Sequence, residues 1–400
     1  MAPARDRITG DWLASPPVQL VLGAFSRAGK AAYLVGGCVR DAILGRPVSD
    51  VDVATDARPA DGVAIAEAEG IRVLPLGIDH GSIRLILGGR NIEVTTFRSD
   101  VETDGRHATV AFGTSMEADA RRRDFTMNAL YADAAGRVYD PLLGTGDLLD
   151  GRVRFIGDAG ERIREDFLRI LRYFRFLAAY GDRRWPLDME ALAACRALAP
   201  GIDRLSGERV TAEVVKLLTA EDPVSSVAAM DGCGVLGRIL PGATPATLAT
   251  FVAMERRLGL DPCWWSRLAA LSGSRDRLRL SRRDAGRIAK VGALADGVES
   301  AAGLGYREGE TTATGAVLLR AVRSGREHPG EDAMADIRRG SSARFPIRAA
   351  DLGPDLKGRR LGERLRALET RWIESGFTLS RSGLLGETSD RPERGGPSPD

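Results

Sequence analysis

Cysteine is scarce in this 400-residue chain, and what there is lies scattered: Cys38, Cys195, Cys233 and Cys263, with no CxxC pair. That spacing argues against a cysteine zinc site and a disulfide framework, and it fits a reducing cytoplasm. Lysine is nearly missing too, at Lys30, Lys216, Lys290 and Lys357 only. Basic charge is therefore carried by arginine, which the codon usage of a GC-rich genome explains; at single positions an arginine also supplies a fork for phosphate. Neither sign of charge dominates. The net charge is +2, so binding to a polyanion has to come from local patches. The first thirty residues carry Arg5, Asp6, Arg7 and Asp11, with Pro16 and Pro17 interrupting the apolar run. They read as neither a signal peptide nor a membrane span.

What is present is the composition of a globular protein of two to four domains. Apolar spacing at Val18, Val21, Leu22 and Phe25 predicts a helix from about Pro17 to Lys30. Residues 31–57 read strand, Gly-Gly turn, short helix, strand, and 58–70 read as a helix closed by Gly70. IRVLPLG, SIRLILGG and NIEVTTFR are strand candidates, and 99–115 reads as a mobile polar loop. Helical spacing starts again at Met116, a hairpin follows in LYADAAGRVYDP, and 158–180 predicts one continuous helix. Almost everything beyond is helical, and 385–400 reads as a disordered tail. The expected fold class is α+β: a mixed-sheet head over about 1–150 followed by an all-helical body.

The stretch YLVGGCVRDAILGRPVSDVDVATDA concentrates the chemistry. Residues two apart on a strand point the same way, so Asp50 and Asp52 converge on one point, a spacing that suits a pair of Mg²⁺ ions. Asp-x-Asp is also common in loops and turns, where it holds backbone. The glycines shift the weight toward a site: Gly36 and Gly37 place backbone N–H groups beside a helix start, and Arg40 follows within reach of the same triphosphate. Glu93, on a later strand, reads equally as a third carboxylate or as a solvated strand residue.

Four ordered segments resemble one family. LVGGCVRDAILGRPVSDVDVAT, RRDFTMNAL (122–130), EDFLRILRYFRF (165–176) and LSGERVTAEVVKLL (205–218) are similar to the signatures of class II CCA-adding tRNA nucleotidyltransferases. That family shares its head with bacterial poly(A) polymerases. The resemblance covers roughly the first half of the chain, and Ala159 departs from it where a proline is often found. It implies a polymerase-beta-like nucleotidyltransferase head (1–150), a helical nucleotide-recognition neck (151–220), and a tRNA-binding body and tail (221–384). It implies catalytic, metal-holding Asp50 and Asp52. It implies nucleotide contacts at Gly37, Arg40, Arg123, Asp166, Arg169, Arg172 and Arg175, with Asp124 near the ribose. Mg²⁺ is the implied cofactor, CTP and ATP the substrates, and the tRNA 3′ end the partner.

The arginine-rich helix carries its own chemistry. Asp166, Arg169, Arg172 and Arg175 recur every three residues and form a slowly drifting stripe, and such a stripe is usually a solvated face. Cytosine and adenine each present an amino donor beside a ring acceptor, and an Asp–Arg pair offers the complementary acceptor and donors. Uracil and guanine reverse that pattern and leave like groups facing each other. Asp166 and Arg169 thus read as a template for CTP and ATP, while Arg172 and Arg175 hold phosphates or position Asp166. No histidine base is required. Neither His80 nor His107 is assigned to catalysis; His80 orders a turn or contacts substrate, and His328 reads as a loop residue. The basic runs Arg275–Arg287 and Gly358–Arg371 are candidate RNA surfaces or plain solvated helix faces. The rival readings are a poly(A) polymerase on the same scaffold, a catalytically dead RNA-binding head, and a small-molecule nucleotidyltransferase. The last would need neither the arginine-rich helix nor the helical body.

Overall fold

The computed structural model of the chain describes residues 6–74, 78, 81–103, 108–113, 115–182, 184–353 and 356–386. By contacts it divides into two units, Met1–Ala243 with Gly273–Arg279, and Thr244–Ser272 with Leu280–Asp400.

In the first unit, a single turn, α1 (Asp11–Ala14), leads into α2 (Pro16–Arg27), whose two prolines occupy positions where no backbone donor is needed. The helix stops short of Lys30 because Gly29 turns left-handed at φ 71° and the Lys30 N–H closes back onto the Phe25 carbonyl at 2.9 Å. The head then runs β1 (Ala32–Val35), α3 (Gly37–Ile43), β2 (Val51–Thr55), α4 (Pro59–Ala68), β3 (Arg72–Leu74), β4 (Ser82–Leu87), β5 (Arg90–Thr96), β6 (Arg98–Thr103), β7 (Ala108–Phe112), α5 (Met116–Arg121), β8 (Tyr131–Ala132), β9 (Val138–Tyr139) and α6 (Gly144–Leu149). Seven strands form one mixed sheet in the order β3-β4-β5-β2-β1-β8-β9. Among the described residues only the β2–β5 pair is parallel, with Val51 opposite Ile92 and Asp52 opposite Glu93. Alternation is regular on β5, where Ile92, Val94 and Thr96 are buried and Glu93 is exposed; Phe97, one residue past the strand, is buried as well.

Three segments differ from the sequence reading. The expected loop 99–115 contains paired strands, β6 and β7, whose register shifts between Asp100 and Glu102. Extended backbone there is satisfied by its own partner rather than by water. The helical run from Met116 breaks after Arg121 and resumes as a 3₁₀ turn over Thr126–Asn128. The expected helix 158–180 is two helices, α7 (Ala159–Glu165) and α8 (Leu168–Tyr180), parted at Asp166, whose backbone is extended at φ −154°, ψ 106°. No proline causes the break. The Asp166 carboxylate accepts the Leu168 N–H (3.0 Å) and Arg209 (2.6 Å), and these bonds compete with helix continuation.

Helices α9 (Met189–Leu198), α10 (Gly207–Thr219), α11 (Val224–Gly232) and α12 (Leu236–Ile239) complete this unit. An aromatic cluster locks α8 to the head: Phe125 packs 4.9 Å from both Phe155 and Phe176, and Tyr173 stacks on Phe155 at 5.4 Å. Helix α10 is tied to α8 by Arg175–Glu213 at 2.6 Å.

The second unit is helical: α13 (Pro245–Arg257), α14 (Trp264–Leu271), α15 (Arg282–Asp296), α16 (Ala301–Glu308), α17 (Glu310–Arg323), α18 (Ala333–Ser342), α19 (Gly358–Glu374) and α20 (Arg381–Leu385). Its cores gather Leu304, Val317 and Ile337, and, further on, Leu368, Trp372 and Ile373. A buried ion pair, Arg267–Glu255 at 2.7 Å, joins α14 to α13. The expected disordered tail begins at the end of α20 and from residue 387 lies outside the described residues. Among the described residues no helix is long and apolar enough to cross a membrane.

Candidate active site

A cleft of about 340 Å³ opens in the first unit where α3, β2, the turn before β8, α8 and α10 meet. Gly36, Gly37, Arg40, Asp50, Asp52, Arg123, Asp124, Arg172 and Arg175 all line it. Seven of the nine residues expected as catalytic or nucleotide-binding are therefore brought together from segments far apart in sequence, with Asp124 beside them. A larger cavity, about 430 Å³, is lined by Val153, Leu177, Trp185 and Leu187 among others, and it lacks both the glycine turn and the aspartate pair.

The glycine turn is built by backbone geometry. Gly36 sits at φ 71°, a left-handed conformation that glycine adopts without a Cβ penalty. Its N–H is not available to a ligand, contrary to the sequence reading, because it donates to the Leu130 carbonyl at 3.0 Å. Arg40 is buried and already engaged. Its Nε and Nη2 donate to the Asp41 carboxylate at 3.0 Å each, and Nη1 donates to Asn128 Oδ1 at 2.7 Å. Its guanidinium lies 4.3 Å from the Tyr180 ring centroid.

Asp52 lies on β2 and Asp50 immediately before it, and both line the cleft exposed. Asp52 keeps an open face toward the cleft, while protein crowds its carboxyl on the other sides. This burial and the nearby Glu93 carboxylate, with Asp50 adding to them against Arg123, push its pKa up to about 6. Among the described residues neither Asp50 nor Asp52 has an ion-pair partner, an arrangement that a divalent cation would relieve. Glu93 lies beside Asp52 in register, but it pairs with Arg84 at 3.9 Å and does not line the cleft. Among the described residues no three His, Cys, Asp or Glu side chains gather as a metal site. The aspartates form a two-carboxylate set of hard oxygen donors, the kind Mg²⁺ uses when substrate and water complete its shell.

The opposite wall is a chain of charge-assisted hydrogen bonds. Asn128, which the sequence reading did not single out, links Arg40 to Asp124 through its Nδ2, 2.9 Å from Asp124 Oδ1. Asp124 also accepts the Phe125 N–H at 2.9 Å and Arg172 Nε at 2.7 Å. Burial alone would raise the Asp124 pKa, but Arg172 and these donors hold it below the usual carboxylate range. Arg123 is held by the fully buried Asp119 at 3.0 Å and by the Tyr131 hydroxyl at 3.2 Å. Arg175 stacks 4.3 Å from the Phe176 centroid; burial and the neighbouring Arg172 lower its pKa against the pull of Glu213. The i,i+4 spacing of Asp119–Arg123 and of Asp124–Asn128 was the available sequence signal for this wall.

Asp166 and Arg169 stand apart from the cleft lining. Asp166 is paired with Arg209, while Arg169 is bound to Glu165 and to the carbonyls of Arg162 (2.8 Å) and Arg122 (3.1 Å). Asp166 is not on the helix, so the expected stripe begins only at Arg169. His80 and His107 lie outside the described residues.

Comparison with known proteins converges on one family. Residues 32–154 match the poly A polymerase head domain, and residues 186–247 match a family described as the probable RNA and SrmB-binding site of polymerase A. The mitochondrial CCA tRNA nucleotidyltransferase 1 of Mus musculus is 33% identical over 386 residues, covering 90% of this chain and 87% of that protein. A CCA-adding enzyme of Streptococcus pyogenes is 41% identical over 215 residues, 53% of this chain and 52% of its own length. The crystal structure of the Bacillus stearothermophilus CCA-adding enzyme in complex with CTP superposes with a TM-score of 0.65 at 26% identity, covering 94% of each chain. On this near full-length identity, the chain belongs to the family of CCA tRNA nucleotidyltransferases.

Proposed function

We propose that this enzyme completes tRNA by adding C, C and A to its 3′ end from CTP and ATP, in the cleft lined by Asp50, Asp52, Arg172 and Arg175. The terminal ribose 3′-oxygen attacks the α-phosphorus, a 3′–5′ phosphodiester forms, the bond to the β-phosphate oxygen breaks, and pyrophosphate leaves. The 3′-hydroxyl proton passes to water. Asp50 and Asp52 are the residues that would hold Mg²⁺, which when bound supplies charge neutralisation at the reacting phosphate. The observation that carries the reading is the meeting, on one cleft, of four arginines with two carboxylates that make no ion pair among the described residues.

In this reading Arg123, Arg172 and Arg175 present fixed positive charge to the triphosphate, and Gly36 and Gly37 keep side chains out of its path. Arg40 shapes the wall through Asp41 and Asn128. Asp124 sets the angle of Arg172 near the ribose. Asp166 and Arg169 exchange Arg209 and Glu165 for the amino and ring-nitrogen edge of cytosine or adenine. Residues 1–150 act as the catalytic head, 151–220 as the nucleotide-recognising neck, and 221–384 as the body that holds tRNA by shape and phosphate contacts. The four cysteines, all free, suit work in a reducing cytoplasm.

The test is extension of a tRNA transcript lacking its CCA end. CTP alone should add two residues, CTP with ATP three, and UTP or GTP none. Asp52→Ala should abolish every addition, and Asp166→Ala should admit UTP or GTP. Long ATP-only tails would favour a poly(A) polymerase instead, and no incorporation at all would refute the enzyme reading.

A further inference from the structure

Lys216 is one of only four lysines in the chain, and it lines the cleft from the last turn of α10. Every arginine on the lining already has a carboxylate: Arg40 has Asp41, Arg123 has Asp119, Arg172 has Asp124 and Arg175 has Glu213. Lys216 is exposed and makes no ion pair among the described residues. Glu213, one turn earlier on the same helix, would be its natural neighbour, but that carboxylate is buried and turned to Arg175 at 2.6 Å. The helix itself is well anchored, with Val210, Val214, Leu217 and Leu218 buried beneath it. The ammonium is therefore presented to the cleft on a fixed base, with its charge uncommitted.

Each arginine is held in place by a carboxylate, whereas Lys216 carries a compact charge on a flexible stem with three rotatable donors. Such a group suits an anion that changes position during a reaction cycle. We infer that Lys216 binds non-bridging phosphate oxygens of a substrate in this cleft. Two substrates bring that chemistry: the triphosphate of the incoming nucleotide and the terminal phosphodiester of the RNA. The inference rests on the cleft being the site of nucleotide transfer.

The experiment compares wild type, Lys216→Ala and Lys216→Arg in the full chain. Steady-state CTP addition is measured with CTP and truncated tRNA each varied in turn, and CTP and inorganic pyrophosphate binding are measured directly by calorimetry. If the triphosphate is the ligand, Lys216→Ala raises KM for CTP about tenfold, weakens CTP and pyrophosphate binding to match, and leaves KM for tRNA unchanged. If the RNA phosphodiester is the ligand, KM for tRNA rises instead and its salt dependence flattens. In either case Lys216→Arg recovers most of the loss. Changes within twofold in all of these, with circular dichroism matching wild type, overturn the inference. Should wild type fail to extend tRNA, the functional reading fails first, and the calorimetric arm still decides whether Lys216 binds phosphate.

Discussion

The bond between Asp124 and Arg172 offers the sharpest test of how the cleft is held together. Four donors converge on one buried carboxylate: the Phe125 N–H, Asn128 Nδ2, and Nε and Nη2 of Arg172. Truncating one partner of a buried ion pair costs ~3–5 kcal/mol. Here the Arg172 side chain remains 32% exposed, so water recovers part of that cost and Asp124→Ala should destabilise the chain by about 3 kcal/mol. Asp124→Asn, Arg172→Met and the double variant isolate the pair, with an expected coupling of about 2 kcal/mol at pH 7. Urea unfolding of the full chain at matched ionic strength measures it. The folded-state pKa of Asp124 lies below the unfolded value. Its contribution is therefore complete above about pH 4 and drains away as pH falls through the lower, folded value. Coupling below 0.5 kcal/mol, or coupling that grew on acidification, would refute the view of this carboxylate as the anchor of the arginine wall (~2 kcal/mol being the expected value).

Asp52 should behave in the opposite sense. Its pKa is raised to about 6, so the cost of ionising it in the folded state builds from about pH 4 and is complete above about pH 6, and Asp52→Asn should abolish catalysis while melting at or above the wild-type temperature at pH 8 in EDTA. The advantage should shrink at pH 5, and a variant that melted lower at pH 8 would contradict the crowded-carboxylate geometry. In the second unit, Arg267→Met strands buried Glu255 and should cost ~3–5 kcal/mol, with the Glu255→Leu partner change restoring most of it. KM for CTP should stay unchanged in the double variant, since neither residue lines the cleft.

Much of the head was legible before any coordinates. The strand–glycine–helix–strand order, the Asp50–Asp52 pair and the arginine-rich helix follow from local rules: alternation, turn chemistry and charge spacing. So did the α+β class, because apolar periodicity changes from strand-like to helical along the chain. The misread segments are those in which distant partners override local preference. Asp166 breaks a good helical pattern because Arg209, forty-three residues away, draws its carboxylate out of register. The strands β6 and β7 form because each satisfies the other's backbone.

From composition and spacing alone, the chain settled which residue types could do the chemistry and on which local elements they sit. Only the tertiary structure decided which of them face one another. Arg40 and Asn128 are eighty-eight residues apart and share a 2.7 Å hydrogen bond. Lys216 and Asp52 line one cleft from a late helix and an early strand. Side-chain periodicity reports the face of an element, but the partner across that face is set by the packing of apolar cores. That packing involves the whole of the first unit at once.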